Sequence, residues 1–231
     1  SQPSAAQLSV VVSGNGTTSH TGAIASLFSA DYWYHPKKMP AAEHIKEMLR
    51  RVKTRFVWIV GDDDLVPNSA LSEVEYLLAH QQSLGRCPQA IIGRTRLFTS
   101  TSPFDIGPVT PPDEEWTAGE FTGLKELADA TRGEIHLGAF VAETSLFTRG
   151  RLERYSGTDH AEFGALWDAI SDTKDLSVIV SNAPLVFLRQ ARKEWGLSNV
   201  KTMLGLRKFE SIVPLEVAKH RQSARKPLAV E

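Results

Sequence analysis

The 231-residue chain has a single cysteine, Cys87, which excludes an internal disulfide and a thiolate metal cluster. No apolar stretch reaches the roughly 18 residues that a membrane-spanning helix needs, and no secretory signal pattern opens the chain. The net charge of −1 gives no overall reason to expect nucleic acid as a partner. We therefore expect a cytoplasmic protein. The start "SQPSAA", without an initiator Met, favours a domain that is part of a larger polypeptide.

Positive charge is concentrated at the C-terminal end. From Arg189 onward there are ten Lys and Arg and four Asp and Glu, which leaves the preceding residues with 16 basic and 23 acidic side chains, a net −7. Such asymmetry is typical of a basic segment that meets an anionic ligand or surface, including the inner face of a membrane. A solvated helical tail is an equally good interpretation, and both stay open.

Strand-like and helix-like patterns alternate along the chain, and 42% hydrophobic residues suffice for one substantial core. This alternation predicts an α/β fold in which helices flank a mostly parallel sheet in a single domain. From Thr99 to Gly119 the chain is Pro-rich and irregular, which predicts a surface excursion. The predicted strands are LSVVVS (8–13), DYWYH (31–35), FVWIV (56–60), QAIIGRTRLF (89–98), IHLGAFVAETSLF (135–147), LSVIVS (176–181) and PLVFLRQ (184–190).

Start signals locate the predicted helices. Pro40 opens a helix whose apolar residues fall on one face, and Asn68 is a candidate cap for the next helix. A short helix is predicted over 22–30 and another in the second half of 155–170. The apolar face of the helix after Pro40 consists of Ala41, Ile45, Met48, Leu49 and Val52.

Three consecutive carboxylates follow the buried strand in "RFVWIVGDDDLVP", residues 55–67. Two such charges about 5 Å apart repel by roughly 3 kcal/mol at an effective dielectric near 20. Hard carboxylate oxygens at the carboxyl end of a strand suit Mg²⁺ or Mn²⁺, which would neutralise the repulsion and recruit phosphate oxygens. The alternative is structural: Asp62, Asp63 and Asp64 would form a turn and cap before the Asn68 helix.

The segment "YWYHPKKMPAAEHIKEMLRRVKTRFVWIVGDDDLVPNSALSEVEYLL" resembles the nucleotide-sugar-binding half of glycosyltransferase family 2, inverting enzymes with the GT-A (Rossmann-like) fold. The opening "LSVVVSGNG" is similar to that family's first strand. "YSGTDHAEFGALWDAI" resembles its base-bearing segment, and "PLVFLRQARKEWGLS" resembles a late strand and lid in members that build bacterial surface polysaccharides. Residues 14–30 are shorter than the corresponding region of the family, so part of the nucleotide pocket is expected to be missing or rebuilt.

The resemblance implies a donor site for a nucleoside-diphosphate sugar with Mn²⁺ or Mg²⁺. Asp64 would be the direct metal ligand, and Asp62 would face the ribose or assist at the metal, with Asp63 beside them. Ser13 and Asn15, which close the opening strand, would contact the nucleotide.

The same resemblance assigns the remaining catalytic roles. Asp159 would be the general base for a saccharide or lipid-linked acceptor, with Glu162 as the alternative; both also fit a helix cap. His160 would complete the metal shell or be an ordinary helix-start histidine. Positively charged residues would grip the diphosphate and Trp195 would stack on a sugar; the charged candidates are Arg189, Arg192 and Lys193.

Three regions follow from this interpretation: a flexible N-terminal segment (1–7), a GT-A-like catalytic domain (8–195) and a basic C-terminal helical lid or tail (196–231). Two other functional classes remain open. A haloacid-dehalogenase-like phosphatase would use Asp62 as nucleophile together with Asp64. A non-catalytic sugar-binding module with the same fold is the second.

Overall fold

The computed structural model describes residues 8–16, 20–62, 64–98, 109–110, 116–133, 135–149, 152–155, 161–189, 208–209 and 211–223. The chain folds into two compact units, residues 1–53 and 54–231. Among the described residues, the first two strands pair only with each other and form a small sheet of their own. The segments expected from the sequence, 1–7, 8–195 and 196–231, stay predictions.

The first unit contains four elements: β1 (Val11–Asn15), α1 (His20–Leu27), β2 (Asp31–His35) and α2 (Ala41–Leu49). β1 and β2 are parallel, in a register that pairs their first and last residues. β2 matches the predicted DYWYH strand. α2 begins directly after Pro40, as predicted, and buries Ile45 and Leu49 from its apolar face.

The second unit carries the larger sheet. Its strands are β3 (Phe56–Trp58), β4 (Ala90–Phe98), β5 (Val109–Thr110), β6 (Gly119–Phe121), β7 (Phe140–Glu143) and β8 (Val178–Arg189). Its helices are α3 (Ala70–Ser83), α4 (Leu124–Thr131), α5 (Thr144–Arg149), α6 (Ala161–Ser171) and α7 (Leu215–Ser223). Single 3₁₀ turns span Leu137–Ala139 and Leu152–Tyr155.

The strand order of this sheet is β3-β7-β4-β8-β6, with β5 on the edge of β4. The predicted α/β class is confirmed. The longest pairing, β4 with β8, is parallel, and β3 runs in the same direction as both, whereas β5, β6 and β7 run the opposite way. The sheet is more mixed than helix–strand alternation predicts, because β4, β5 and β6 follow one another without a helix between them in the described residues.

Three local predictions need correction. The segments 176–181 and 184–190 form one strand, β8, since irregular register opposite β4 carries the chain through Asn182 to Pro184. Residues 135–147 form a 3₁₀ turn, a short strand and the start of α5 instead of one long strand. Asn68 does not cap α3: Ser69 is the N-cap residue, and its side chain makes no capping hydrogen bond.

The core of the second unit packs α3 against the sheet. Phe56 and Trp58 of β3 border this cluster. Its fully buried members are Ala70, Val74, Ile91, Val141, Ile179 and Leu185.

Part of the predicted C-terminal lid or tail belongs to the body of this unit. Phe209 and Val217 are fully buried, and Arg154 donates a hydrogen bond to the Ile212 carbonyl at 2.9 Å. None of the described helices is long and apolar enough to cross a lipid bilayer.

Candidate functional site

The candidate site is the acidic loop, defined here as residues 61–65, which follows β3. Its backbone is closed by one hydrogen bond within the loop and is anchored to β8 at Leu65. The Asp64 N–H donates to the Gly61 carbonyl at 3.3 Å, and Leu65 exchanges two hydrogen bonds with Phe187 of β8 at 2.9 and 2.8 Å. Asp63 lies outside the described residues. The loop is therefore anchored across the carboxyl-terminal half of β8.

The two described aspartates of the acidic loop have different environments. Asp62 is exposed, whereas Asp64 is half-buried. Asp64 Oδ2 lies 3.5 Å from the position that a Cβ atom would take on Gly138, and the same Cβ would lie 3.0 Å from Val186 Cγ2. Glycine at position 138 thus lets this turn lie close to Val186 and the Asp64 carboxylate, in a place where a Cβ would be crowded.

A polar turn holds Gly138 in this position. Trp58, the last residue of β3, donates its indole N–H to the Gly138 carbonyl at 2.7 Å. The Gly138 N–H donates to Nδ1 of His136 at 3.3 Å. The strand that leads to the acidic loop and the turn that faces Asp64 are therefore fixed to each other.

The geometry bears on the structural alternative for the three aspartates. α3 begins at Ala70 with Ser69 as its N-cap, so the helix starts six residues after Asp64. Neither Asp62 nor Asp64 caps it. Capping of α3 therefore does not account for Asp62 and Asp64, whereas the hydrogen bond from Asp64 to Gly61 closes the turn that the alternative also predicts.

A complete metal shell is not present in the described part of the chain, where no three His, Cys, Asp or Glu side chains group closely enough to hold an ion. The predicted third ligand, His160, lies outside the described residues. Asp64 and Asp62 would supply hard oxygen ligands that fit Mg²⁺ or Mn²⁺, and such ions commonly complete their shells with water and phosphate oxygens.

Several predicted site residues cannot be placed at atomic detail. Asp159, His160 and Arg192 lie outside the described residues, as do Lys193 and Trp195. Glu162 falls in the first turn of α6, and Arg189 is the last residue of β8; nothing is described of either side chain. Their roles stay predictions.

Ser13 and Asn15, the predicted nucleotide contacts, lie in the first unit. The Ser13 hydroxyl is hydrogen-bonded to Nε2 of His44 at 2.8 Å. The His44 ring meets the His35 ring edge-on, with centroids 4.9 Å apart. Burial, and secondarily the neighbouring His35, lower the pKa of His44 below 6.5, which favours its neutral form.

Asn15 is fixed by the loop that follows β2. Its Nδ2 donates to the Met39 carbonyl and its Oδ1 accepts from the Met39 N–H, both at 2.8 Å. The side chain therefore has a structural role, and its predicted nucleotide contact stays a prediction.

Trp58, His136 and Gly138 around Asp64, and His35 and His44 beside Ser13, were not predicted as site residues from the sequence. Each lies in a segment that was predicted to be a strand or a helix because of its apolar residues. The "HLG" in the middle of an apolar run was the available signal for a turn, because Gly interrupts strands at points of close approach.

The fold is shared with solved structures of TarS from S. aureus. The structure of TarS residues 1–349 superposes with a TM-score of 0.61 at 12% identity, covering 96% of this chain and 66% of that one. A longer TarS structure gives 0.54 at 13% identity, covering 93% of this chain and 36% of that one. The chain has a glycosyltransferase-like fold.

The predicted GT-A-like fold is thereby confirmed, whereas membership of a particular family is not shown at this identity. No family model matches the chain, and no curated protein sequence matches it significantly. The chain spans slightly less than two thirds of the shorter TarS chain, so TarS informs the fold alone.

Proposed function

We propose that the protein is a metal-dependent, inverting glycosyltransferase that moves a sugar from a nucleoside diphosphate to a saccharide or lipid-linked acceptor in surface polysaccharide synthesis. The single observation that supports this most is the acidic loop, which is anchored to β8 and carries the half-buried Asp64 next to Gly138. The likeness to TarS, a wall teichoic acid glycosyltransferase, supports the same class.

The proposed chemistry begins at the acidic loop. A divalent ion held there would neutralise the charge of the leaving diphosphate. Asp64, whose backbone is fixed through Leu65 and β8, would hold its carboxylate in place without rearrangement. The exposed Asp62 would accept hydrogen bonds from the ribose or a metal-bound water.

The acceptor hydroxyl needs a base on the other side of the donor sugar. Asp159 is the proposed base, and Glu162, in the first turn of α6, is the alternative. Arg189 and Arg192 are proposed to bind the diphosphate, because guanidinium groups pair with phosphate oxygens in bidentate fashion. We also propose that the basic C-terminal segment makes peripheral contact with the membrane.

The phosphatase alternative would need Asp62 as an attacking nucleophile. Nothing in the described geometry favours it, and the TarS-like fold supports glycosyl transfer instead. A non-catalytic module with this fold would bind a nucleotide without turnover, so binding and activity must both be measured.

The test is calorimetric titration of UDP and other nucleoside diphosphates with and without Mn²⁺. Asp64→Asn removes a full ligand charge while keeping the side-chain size. We expect Mn²⁺-supported nucleotide affinity to fall by tenfold or more, on the order of 1.4 kcal/mol.

Asp175→Asn is the matched control. Asp175 is exposed, lies in the turn before β8 and has a φ of 54°, which asparagine tolerates. Equal metal-dependent affinity in the wild type and in both variants would contradict the proposed donor site. Binding without transfer or donor hydrolysis would point to the non-catalytic module.

A further inference from the structure

The two faces of β4 have different surroundings. Ile91 belongs to the apolar cluster beneath α3, and a Cβ on Gly93 would collide with Leu185 of the same cluster. Because side chains alternate along a strand, the odd-numbered residues of β4 face that cluster. The even-numbered residues face the opposite side of the sheet. They are Ala90, Ile92, Arg94, Arg96 and Phe98.

The even-numbered residues of β4 form a buried row that is interrupted by two arginines. Ile92 and Phe98, which bracket the arginines, are 0% and 1% exposed, and Arg94 is 6% exposed. Taking a guanidinium out of water is costly unless anionic groups or hydrogen bonds compensate it. Two cations in one buried row therefore indicate compensation by negative charge.

Arg96 is the arginine whose compensation is incomplete. Its side chain is half-buried, and its Nε is fully shielded from solvent with no hydrogen-bond partner in the described part of the chain. Arg94 already takes part in other interactions within the protein. Residues two apart on one face of a strand are neighbours, so the Arg94 and Arg96 guanidinium groups repel each other. An anion shared by both would weaken the repulsion that the other interactions of Arg94 leave.

An aromatic ring completes the arrangement. The Arg94 guanidinium carbon lies 5.8 Å from the centroid of the buried Trp116 ring. Opposite Arg94, the register with β8 shifts twice, so that β8 carries extra residues there. Bulges of this kind re-aim side chains and are frequent beside binding sites.

We propose that Arg94, Arg96 and Trp116 form a subsite for an oxyanion carried by the acceptor saccharide, a phosphate or a carboxylate. Arg96, whose side chain is half-buried, pairs with the oxyanion through its guanidinium. Arg94 supplies the second positive charge, and Trp116 packs against the Arg94 guanidinium. The assignment to the acceptor rests on the proposed glycosyltransferase function, whereas oxyanion binding itself does not.

The position of the subsite favours the acceptor, and not the donor diphosphate, as the molecule that carries the oxyanion. Trp58, which packs on the apolar cluster beneath α3, holds Gly138 next to Asp64. The arginines project from the other face of the sheet. The subsite would thus hold a part of an extended acceptor remote from the reacting hydroxyl, where binding energy still contributes to catalysis.

The test uses NMR signals of arginine Nε–H groups in the full chain, with the Arg96 signal assigned from Arg96→Gln. Inorganic phosphate and methyl glucuronide are titrated separately, and methyl glucoside serves as the neutral probe. We expect at least one anion to shift the Arg96 signal, with methyl glucoside inert. The response of Trp116 to each anion then gives the affinity of the wild type and of Arg96→Gln. We expect Arg96→Gln to bind the anion about tenfold more weakly than the wild type. The two anions distinguish phosphate-bearing from carboxylate-bearing acceptors.

Lys174→Gln removes the same charge from an exposed turn and is the matched control. Anion affinity that is equal in Arg96→Gln and Lys174→Gln, or absent from the wild type, would overturn the subsite. Displacement of the anion by UDP with Mn²⁺ would overturn its assignment to the acceptor. Asp64→Asn should leave anion binding unchanged, so failure of the donor site is distinguished from failure of this subsite.

Discussion

Polar side chains at strand ends serve different purposes in the two units. In the first unit, the Ser13 hydroxyl and both ends of the Asn15 amide are bonded within the protein. In the second unit the backbone of the acidic loop is hydrogen-bonded, Asp62 is exposed, and the half-buried Asp64 carboxylate lies next to Gly138. A fixed backbone that presents carboxylates is the arrangement expected of a ligand site. Side chains that are hydrogen-bonded to other groups of the same unit are the arrangement expected of a scaffold.

The largest expected effect concerns catalysis in the second unit. If Asp159 deprotonates the acceptor, Asp159→Asn should lower turnover roughly 10²- to 10⁴-fold with nearly unchanged donor affinity. Steady-state transfer assays and donor titration measure the two separately. Since Asn is about as good a helix cap as Asp, normal turnover would leave Asp159 a cap.

The corresponding change at Glu162 is the internal comparison. Loss of transfer in Glu162→Gln, with near-normal transfer in Asp159→Asn, would move the base to Glu162. Normal transfer in both variants would remove this segment from the mechanism.

Gly138→Ala tests the space beside Asp64. The new Cβ would press on the fully buried Val186 at 3.0 Å and occupy space next to the Asp64 carboxylate. We expect a loss of stability of about 1–3 kcal/mol from overpacking, together with weaker Mn²⁺-supported nucleotide binding. Denaturant unfolding and calorimetry report the two effects. Unchanged metal-dependent affinity would show that the space is not part of the site.

Asn15→Ala tests the scaffold side of the comparison. Loss of the side chain leaves the Met39 N–H and carbonyl without their partner, which should cost about 1–3 kcal/mol of stability. Thermal unfolding, followed through signals from the first unit, measures this loss of stability. Full stability with lost nucleotide affinity would instead make Asn15 a ligand contact and not a scaffold residue.

The smallest expected effect is a pH dependence of the first unit. Because the folded-state pKa of His44 is lowered below 6.5, the unfolded chain binds the proton more readily. This contribution to stability is complete above pH 6.5 and is lost as the pH falls below it. The melting temperature of the wild type should therefore fall more steeply on acidification than that of His44→Gln. Parallel pH profiles would exclude His44 as the cause.

Much of the local structure was predictable. The aromatic run at 31–35, bounded by turn residues, formed β2, and Pro40 set the start of α2. Asp62 and Asp64 follow β3, as predicted. These features depend on short-range signals, namely alternation, helical spacing and backbone restriction by proline.

Long-range pairing accounts for what the sequence did not predict. β7 inserts between β3 and β4, and Gly138 meets Asp64 across more than 70 residues of chain. The bulges of β8 leave no local sequence pattern, so one strand was interpreted as two. Apolar periodicity also concealed the polar roles of Trp58 and His44, which lie in well-formed elements.

The most direct test of the central claim is a crystal of the protein soaked with Mn²⁺ and UDP and measured for anomalous scattering. We predict a manganese peak within about 2.3 Å of a carboxylate oxygen of Asp64, in contact with diphosphate oxygens. A manganese peak away from the acidic loop, or UDP bound with no metal at Asp64, would contradict the proposed donor site.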